Sequence, residues 1–143
     1  MGRYDGPHLE TEDEHVVSVW VATVPFVDIP EDYWLPDYDG EDDAPWNQFS
    51  HDFGFGSYDT DFVESYFHEP DGNVVPVEDL IKPLSYASSF VDAVVQRASE
   101  IGVAKTSYVY LVYNFKYDES VTGRHKSDCL RFVGVFPYDD TAT

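Results

Sequence analysis

Residues 106–117, TSYVYLVYNFKY, are typical of a long β-strand. β-Branched and aromatic residues dominate this stretch, and successive side chains of a strand point to opposite faces. Four side chains are expected on one face and three on the other: Val109, Leu111, Tyr113 and Phe115 against Tyr108, Tyr110 and Val112. Because both faces are apolar, the stretch is predicted to be a central strand of a sheet.

An amphipathic helix is predicted just before this strand, over residues 88–101. Ser89 and Asp92 have the spacing of a capping box, and Gly102 is placed to end the helix in the left-handed conformation. Apolar side chains recur between these ends at the spacing of one helix face. They are Phe90, Val91, Val94, Val95, Ala98 and Ile101.

Two further strands complete the predicted sheet. Residues 15–24, HVVSVWVATV, are β-branched and aromatic, and residues 129–137 form a second such run. The polar connection that follows residue 117 contains Gly123, so the strands at 106–117 and 129–137 are predicted to form an antiparallel hairpin with a long loop. The fold class is therefore α+β, an antiparallel sheet with one main amphipathic helix packed on a face.

Elsewhere the pattern is less regular. The prolines between residues 25 and 45 leave room for one helical turn at 30–35, and residues 58–64 fit either a short strand or a helical turn. Two aromatic residues are expected in the core. Trp20 lies in a run of valines, and Phe62 lies among polar residues that need an apolar anchor.

The length of 143 residues predicts one domain. We expect a polar tail at residues 1–14, the domain at 15–138 and a short tail at 139–143. The sequence contains no apolar run long enough for a transmembrane helix, and its polar, acidic start is unlike a signal peptide. The single cysteine, Cys129, cannot form an internal disulfide. These features predict a cytoplasmic protein.

The negative charge is confined to the first part of the chain. The formal net charge is -20; residues 1–81 hold 21 acids and one base, whereas residues 82–143 hold seven of each. This charge excludes a general DNA or RNA binder, which needs cations on phosphate, and it disfavours an anionic membrane surface.

Acidic residues are densest between residues 28 and 43, where large aromatic residues interleave with them. A solvated loop is the plain interpretation of such a run. Tyrosine and tryptophan are frequent anchors of protein interfaces, however, so the pattern favours a protein-binding surface. The acids are Asp28, Glu31, Asp32, Asp37, Asp39, Glu41, Asp42 and Asp43, the aromatics are Tyr33, Trp34 and Tyr38, and Trp46 follows closely.

Carboxylates also suggest a catalytic alternative. Asp52, Asp59, Asp61 and Glu64 could serve as acid/base groups or metal ligands of a hydrolase. The competing interpretation is that they cap turns and accept backbone hydrogen bonds. The sequence has no calcium-loop, zinc, phosphate-loop or nucleophile spacing, so we assign no catalytic residue, no metal ligand and no cofactor.

Short motifs resemble the immunity protein 22 family of bacterial polymorphic toxin systems. They are SVWV at 18–21, DFG at 52–54 and YDTDFVE at 58–64, followed by SSF at 88–90, LVY at 111–113 and FVGVF at 132–136. The resemblance spans roughly residues 15–138. It implies a protein without enzymatic activity that binds and neutralises a cognate toxin encoded beside it.

The charge pattern and this resemblance together predict an acidic, aromatic-rich contact surface for a toxin with a basic surface. Its residues are expected to be Asp37, Tyr38, Asp39, Glu41, Asp42, Asp43 and Trp46, extended by Asp59, Asp61 and Glu64. Hydrogen bonds within the fold could instead engage the last three. Two alternatives to a toxin-neutralising protein stay open: the metal-dependent hydrolase, and an acidic DNA-mimic regulator.

Overall fold

The computed structural model describes residues 9, 11, 14–30, 32–34, 47–55, 60–67 and 74–141. The strands are β1 (Val16–Ala22), β2 (Val63–Tyr66), β3 (Val75–Pro76), β4 (Lys105–Thr106), β5 (Val109–Tyr113) and β6 (Leu130–Pro137). The helices are α1 (Gln48–Phe53), α2 (Val77–Ile81), α3 (Val91–Glu100) and α4 (Glu119–Thr122). Single 3-10 turns lie at Phe26–Asp28, Thr60–Phe62 and Ala87–Ser89.

An antiparallel sheet with the strand order β2-β5-β1-β6 organises these elements. The short strands β3 and β4 form a separate antiparallel pair. Helix α3 packs against β6 and α2, and its Val94 and Ala98 share a buried cluster with valines of β1. The predicted α+β class, with an antiparallel sheet and an amphipathic helix on one face, is confirmed.

The predicted hairpin between the last two long strands is wrong, because β1 lies between them. Val19 is the partner of Leu111 in β5 on one side and of Gly134 in β6 on the other. Residues 17–22 are buried on both faces of the sheet, so β1 fits the centre better than an edge. The long connection from β5 to β6 is free to cross to the far side of β1.

Strand β5 is shorter than predicted, and its alternation stops at Asn114. This residue has a φ of 55°, in the left-handed region that asparagine tolerates better than most residues. The turn of the backbone there moves Phe115 into the cluster around Trp20, with Tyr110, and away from Leu111. The predicted placement of Phe115 is therefore wrong, while the other six side chains follow the predicted faces.

Helix α3 begins at Val91, after the 3-10 turn, rather than at residue 88. The predicted capping box does not form, because the Ser89 hydroxyl donates to the carbonyl oxygen of Tyr86 at 2.6 Å. Phe90 occupies the N-cap position without a side-chain cap. Gly102 does adopt the left-handed conformation predicted for it, with a φ of 82°.

Both faces of the sheet are covered. Helices α2 and α3 cover the face formed by Val17, Val19 and Val21, and an aromatic layer that includes α1 covers the other. Trp20 lies in this second layer and is fully buried, which confirms its predicted core position. Phe62 is 44% exposed, so its predicted core position is wrong; it belongs to the turn that precedes the edge strand β2.

The irregular segments also take definite conformations. Residues 32–34 form a turn in which the Tyr33 amide donates to the carbonyl oxygen of Pro30 at 3.0 Å, and Leu35 lies outside the described residues. In the part of 58–64 that is described, a 3-10 turn is followed by β2, so both predicted alternatives occur in succession. Helix α1 was not predicted; Gly54 ends it with a φ of 76°.

Candidate functional site

Most of the predicted contact residues lie outside the described residues. These are Asp37, Tyr38, Asp39, Glu41, Asp42, Asp43, Trp46 and Asp59. Asp61 and Glu64 are described, and they lie in and next to β2 at the edge of the main sheet. The first half of this edge borders a small pocket, and its second half borders a larger groove.

The pocket has a volume of about 200 Å³. Three tyrosines and two carboxylates characterise it, and we call it the tyrosine pocket. Its lining consists of Asp61, Phe62, Val63, Glu64, Ser85, Tyr86, Tyr113, Asn114 and Tyr138. Two of the ten predicted contact residues, Asp61 and Glu64, are thus brought together.

The three tyrosine rings pack against one another. Tyr86 and Tyr138 stack with ring centroids 5.1 Å apart and planes at 15°. Tyr113 meets both edge-on, at 6.0 Å from Tyr86 and 5.3 Å from Tyr138. His15 extends the stack on Tyr138 at 5.2 Å. Offset-stacked and edge-on pairs are the favourable arrangements of aromatic rings, so the rings hold one another in place.

Hydrogen bonds fix the polar groups of the pocket. The Tyr113 hydroxyl donates to the carbonyl oxygen of Ser85 at 2.7 Å, and the Ser85 amide donates to Glu64 Oε1 at 2.9 Å. The Tyr138 hydroxyl donates to Asn114 Oδ1 at 2.6 Å. Part of the Glu64 carboxylate is therefore engaged within the fold, as the sequence interpretation allowed.

Burial, followed by the nearby Glu64 carboxylate, raises the pKa of Tyr113 well above its ordinary value. Burial is also the main cause that raises the pKa of Tyr138, with smaller contributions from Tyr86 and Asp140. Both hydroxyls therefore stay protonated at neutral pH. The tyrosines contribute neutral rings to the pocket, and its negative charge comes from carboxylates.

Backbone strain accompanies the pocket. Within the described part of the chain, Tyr86 and Asn114 are the two non-glycine residues with positive φ, at 61° and 55°, and both line the pocket. A left-handed conformation costs a residue with a Cβ roughly 1–2 kcal/mol. The hydrogen bonds of Asn114 and the ring contacts of Tyr86 help to hold these conformations.

The larger groove at the second half of β2 has a volume of about 690 Å³. It is mainly apolar, and we call it the aromatic groove. Phe26 and Phe67 stack in it at 4.1 Å, and Val27 beside them is 80% exposed. Its lining consists of Phe26, Val27, Ile29, Pro30, Trp34, Ser65, Tyr66, Phe67 and Tyr108.

Comparison with known proteins places this architecture in a family. The model of the family described as Immunity protein 22 matches residues 17–139. The chain belongs to the immunity protein 22 family. No curated protein and no solved structure gives a significant match.

Two of the motifs by which the sequence resembles the immunity protein 22 family, SVWV at 18–21 and DFG at 52–54, contribute residues that support the scaffold. The Ser18 hydroxyl accepts from the Tyr117 amide at 3.0 Å, which ties the segment after β5 to β1. Trp20 and Phe53 fill the aromatic layer, and Gly54 ends α1. These motif residues therefore support the fold of this chain, whereas residues of two other motifs, YDTDFVE at 58–64 and LVY at 111–113, line the tyrosine pocket.

Asp52, the aspartate of the DFG motif, accepts from the Tyr33 hydroxyl at 2.9 Å and from Gln48 Nε2 at 2.8 Å. Glu64 serves the separate network around Ser85. Across the described ranges, no group of three or more His, Cys, Asp or Glu side chains could hold a metal ion. Two of the carboxylates of the predicted hydrolase alternative, Asp52 and Glu64, are thus engaged in different hydrogen-bond networks.

Sequence reasoning missed the tyrosines that make the pocket. Positions 86, 113 and 138 are far apart in the chain, and none of them lies in an acidic run. The only signal in the sequence was the abundance of tyrosine, 11 in all, which does not say which of them meet. No helix within the described ranges is long and apolar enough to cross a membrane.

Proposed function

We propose that this member of the immunity protein 22 family binds a cognate bacterial toxin in the cytoplasm and neutralises it through an acidic surface rich in aromatic residues. The observation that carries the proposal is the confinement of the whole net charge of -20 to residues 1–81. Crowding of like charges opposes folding, and a partner of opposite charge turns the same field into attraction and fast association. A toxin with a basic surface is such a partner.

The surface around β2 supports this proposal. Asp61 and Glu64 belong to the acidic part of the chain, and large side chains are exposed beside them. Phe62 is 44% and Tyr66 is 38% exposed. Protein interfaces draw most of their affinity from a few aromatic anchors surrounded by polar groups. The proposed surface also includes the predicted acidic stretch at residues 37–46, which is close in sequence to α1.

Charge complementarity should act mainly on the rate of association. Exposed charges at the rim of an interface accelerate encounter and make it sensitive to salt, whereas buried charge pairs slow dissociation. Fast capture suits a protein that must inactivate a toxin before the toxin reaches its target.

The test replaces Asp39, Glu41, Asp42 and Asp43 by Asn or Gln and measures association with the toxin encoded beside this gene. We expect association to slow about tenfold at low salt and to lose much of its salt dependence. A matched control replaces four exposed acids of the C-terminal part, Asp92, Glu100, Glu119 and Asp128, in the same way. The control should keep a rate close to that of the unmodified protein.

Equal rates for the two variants would show that only total charge matters, and would remove the acidic stretch from the contact surface. A co-expression assay tests the function itself. If the unmodified protein neither binds the neighbouring toxin nor protects cells from it, the proposed function is wrong.

A further inference from the structure

We propose that the tyrosine pocket receives an arginine side chain of the toxin. The inference rests on the proposed function and names one group of the toxin that this pocket would recognise. It extends the role of Asp61 and Glu64 from diffuse attraction to recognition of a single cationic group. The pocket lies at the edge of the sheet, where a partner surface can reach it.

The size of the pocket favours one side chain over a free metabolite. Its volume is about 200 Å³, and sites for drug-sized ligands usually have volumes of roughly 300–1,000 Å³. The aromatic groove reaches that range, but its apolar lining does not indicate what occupies it. The tyrosine pocket does indicate its occupant, because its lining combines rings with negative charge.

Aromatic rings and carboxylates together select a cation. The face of a tyrosine ring attracts an ammonium or guanidinium group, and Tyr86, which stacks with one face on Tyr138, lines the pocket together with Glu64. Among the described residues that line the pocket, none is Lys or Arg. No described cationic side chain of the lining therefore lies beside Glu64.

The geometry favours arginine over lysine. A guanidinium group is planar, so it can stack on a tyrosine ring and donate to a carboxylate at the same time. Oε1 of Glu64 accepts from the Ser85 amide, which orients the carboxylate. Its second oxygen has no hydrogen-bond partner within the described part of the chain and can accept from a guanidinium N–H.

Contacts within the fold hold the side chains of the pocket in place. Ring contacts join Tyr86, Tyr113 and Tyr138, and the Tyr138 hydroxyl is held by Asn114. The same contacts help to hold Tyr86 and Asn114 at their positive φ values. A rigid site avoids the cost of ordering side chains on binding, which otherwise reduces affinity.

The first test uses acetyl-Gly-Arg-Gly-amide as the probe, with the full chain carrying ¹³C-labelled tyrosine. Titration followed by NMR should shift the ring resonances of Tyr86, Tyr113 and Tyr138 in a saturable way. The isosteric peptide with citrulline, which lacks the charge, should produce no saturable shift. The lysine peptide should bind at least about threefold more weakly, because an ammonium group cannot stack flat on a tyrosine ring while it donates two parallel hydrogen bonds to a carboxylate. Equal binding of the lysine or the citrulline peptide would overturn the assignment.

Variants locate the binding site. Glu64→Gln retains the acceptor for the Ser85 amide but removes the charge, and should weaken binding of the arginine peptide about fivefold. Tyr138→Leu removes a ring and should weaken it similarly, whereas Tyr138→Phe keeps the ring and should bind nearly as well as the unmodified protein. Glu100→Gln removes one exposed charge at the other end of α3, roughly 13 Å along the helix, and should have no effect. An equal loss in Glu100→Gln and Glu64→Gln would show diffuse attraction and overturn the proposal.

The toxin separates this inference from the proposed function. If the unmodified protein binds the toxin while Glu64→Gln and Tyr138→Leu bind it equally well, the pocket is not used and the inference fails alone. If the unmodified protein does not bind the toxin at all, the proposed function fails. The peptide titration then still reports whether the pocket selects arginine.

Discussion

Trp20 is the residue on which the aromatic layer is centred. Its ring lies 4.9 Å from that of Phe49, 5.2 Å from that of Phe132 and 5.3 Å from that of Tyr117. The indole is fully buried, and its Nε1 has no hydrogen-bond partner within the described part of the chain. Packing rather than hydrogen bonding therefore holds this side chain.

Replacing Trp20 by Ala should lower the free energy of unfolding by about 3–5 kcal/mol, because it leaves a large cavity. Trp20→Phe should cost much less, since a ring is retained and the unpaired N–H disappears. Phe62→Ala is the matched control at an exposed aromatic residue and should cost less than about 1 kcal/mol. Urea unfolding measures all three. Similar losses for Trp20→Ala and Phe62→Ala would contradict the assigned burial.

Tyr117 joins three segments through one hydroxyl, which lies 2.7 Å from the carbonyl oxygen of Phe53 and 2.6 Å from that of Arg124. Thr122 Oγ1 lies 2.6 Å away. Burial raises the pKa of Tyr117 from 10.0 to about 12. A raised pKa in the folded state stabilises the protein below pH 10, and that stabilisation is lost as the pH rises to about 12.

Tyr117→Phe should therefore lower the free energy of unfolding by about 1 kcal/mol at neutral pH, through the lost hydrogen bond. This difference from the unmodified protein should shrink as the pH rises from 10 to about 12, because the variant has no hydroxyl to ionise on unfolding. Denaturant unfolding across this range provides the measurement. A difference that stays constant with pH would show that Tyr117 ionises alike in both states.

At the scale of elements, α1 shows how a short helix is secured. Asn47 Oδ1 accepts from the Ser50 amide at 2.7 Å, and the Ser50 hydroxyl accepts from the Asn47 amide at 3.3 Å. The helix has only six residues, so its stability depends on this cap and on packing. It carries Phe49 and Phe53 into the aromatic layer.

Asn47→Ala should cost about 1–2 kcal/mol, near the upper end for a lost helix cap, because the freed groups are buried. The comparison is Asp118→Ala, which removes the cap of α4, a helix without buried residues. Its effect on the unfolding free energy should be clearly smaller. If both variants lost the same stability, the coupling between the α1 cap and the core would be refuted.

At the scale of the whole molecule, the net charge of -20 opposes the folded state. Raising NaCl from about 0.01 M to about 1 M shortens the Debye length from ~30 Å to ~3 Å and should raise the free energy of unfolding. Urea unfolding at each salt concentration measures this. The variant neutralised at Asp39, Glu41, Asp42 and Asp43 should respond less, and an identical salt response would mean that repulsion among these residues does not affect stability.

The sequence by itself determined the long strands, the main helix and the distribution of charge. Residues 15–24 and 106–117 are β-branched and aromatic on both faces, which predicts strands buried on both sides. The helical spacing of apolar residues from Phe90 to Ala98 predicts a helix with one apolar side. The confinement of negative charge to residues 1–81 is a property of composition alone. The motifs of the immunity protein 22 family are also local, and the matched family model agrees with them.

Only the tertiary structure decided which strands are neighbours and which side chains meet. Apolar side chains on both faces show that a strand is central but do not show which strands pair with it. The sequence therefore did not reveal that β1, rather than β6, lies next to β5. The left-handed turn at Asn114 then redirected Phe115, a change that the residue pattern does not reveal. Helix packing and strand order bring together Tyr86, Tyr113 and Tyr138, which are far apart in the sequence. Local sequence patterns do not predict contacts between such distant residues.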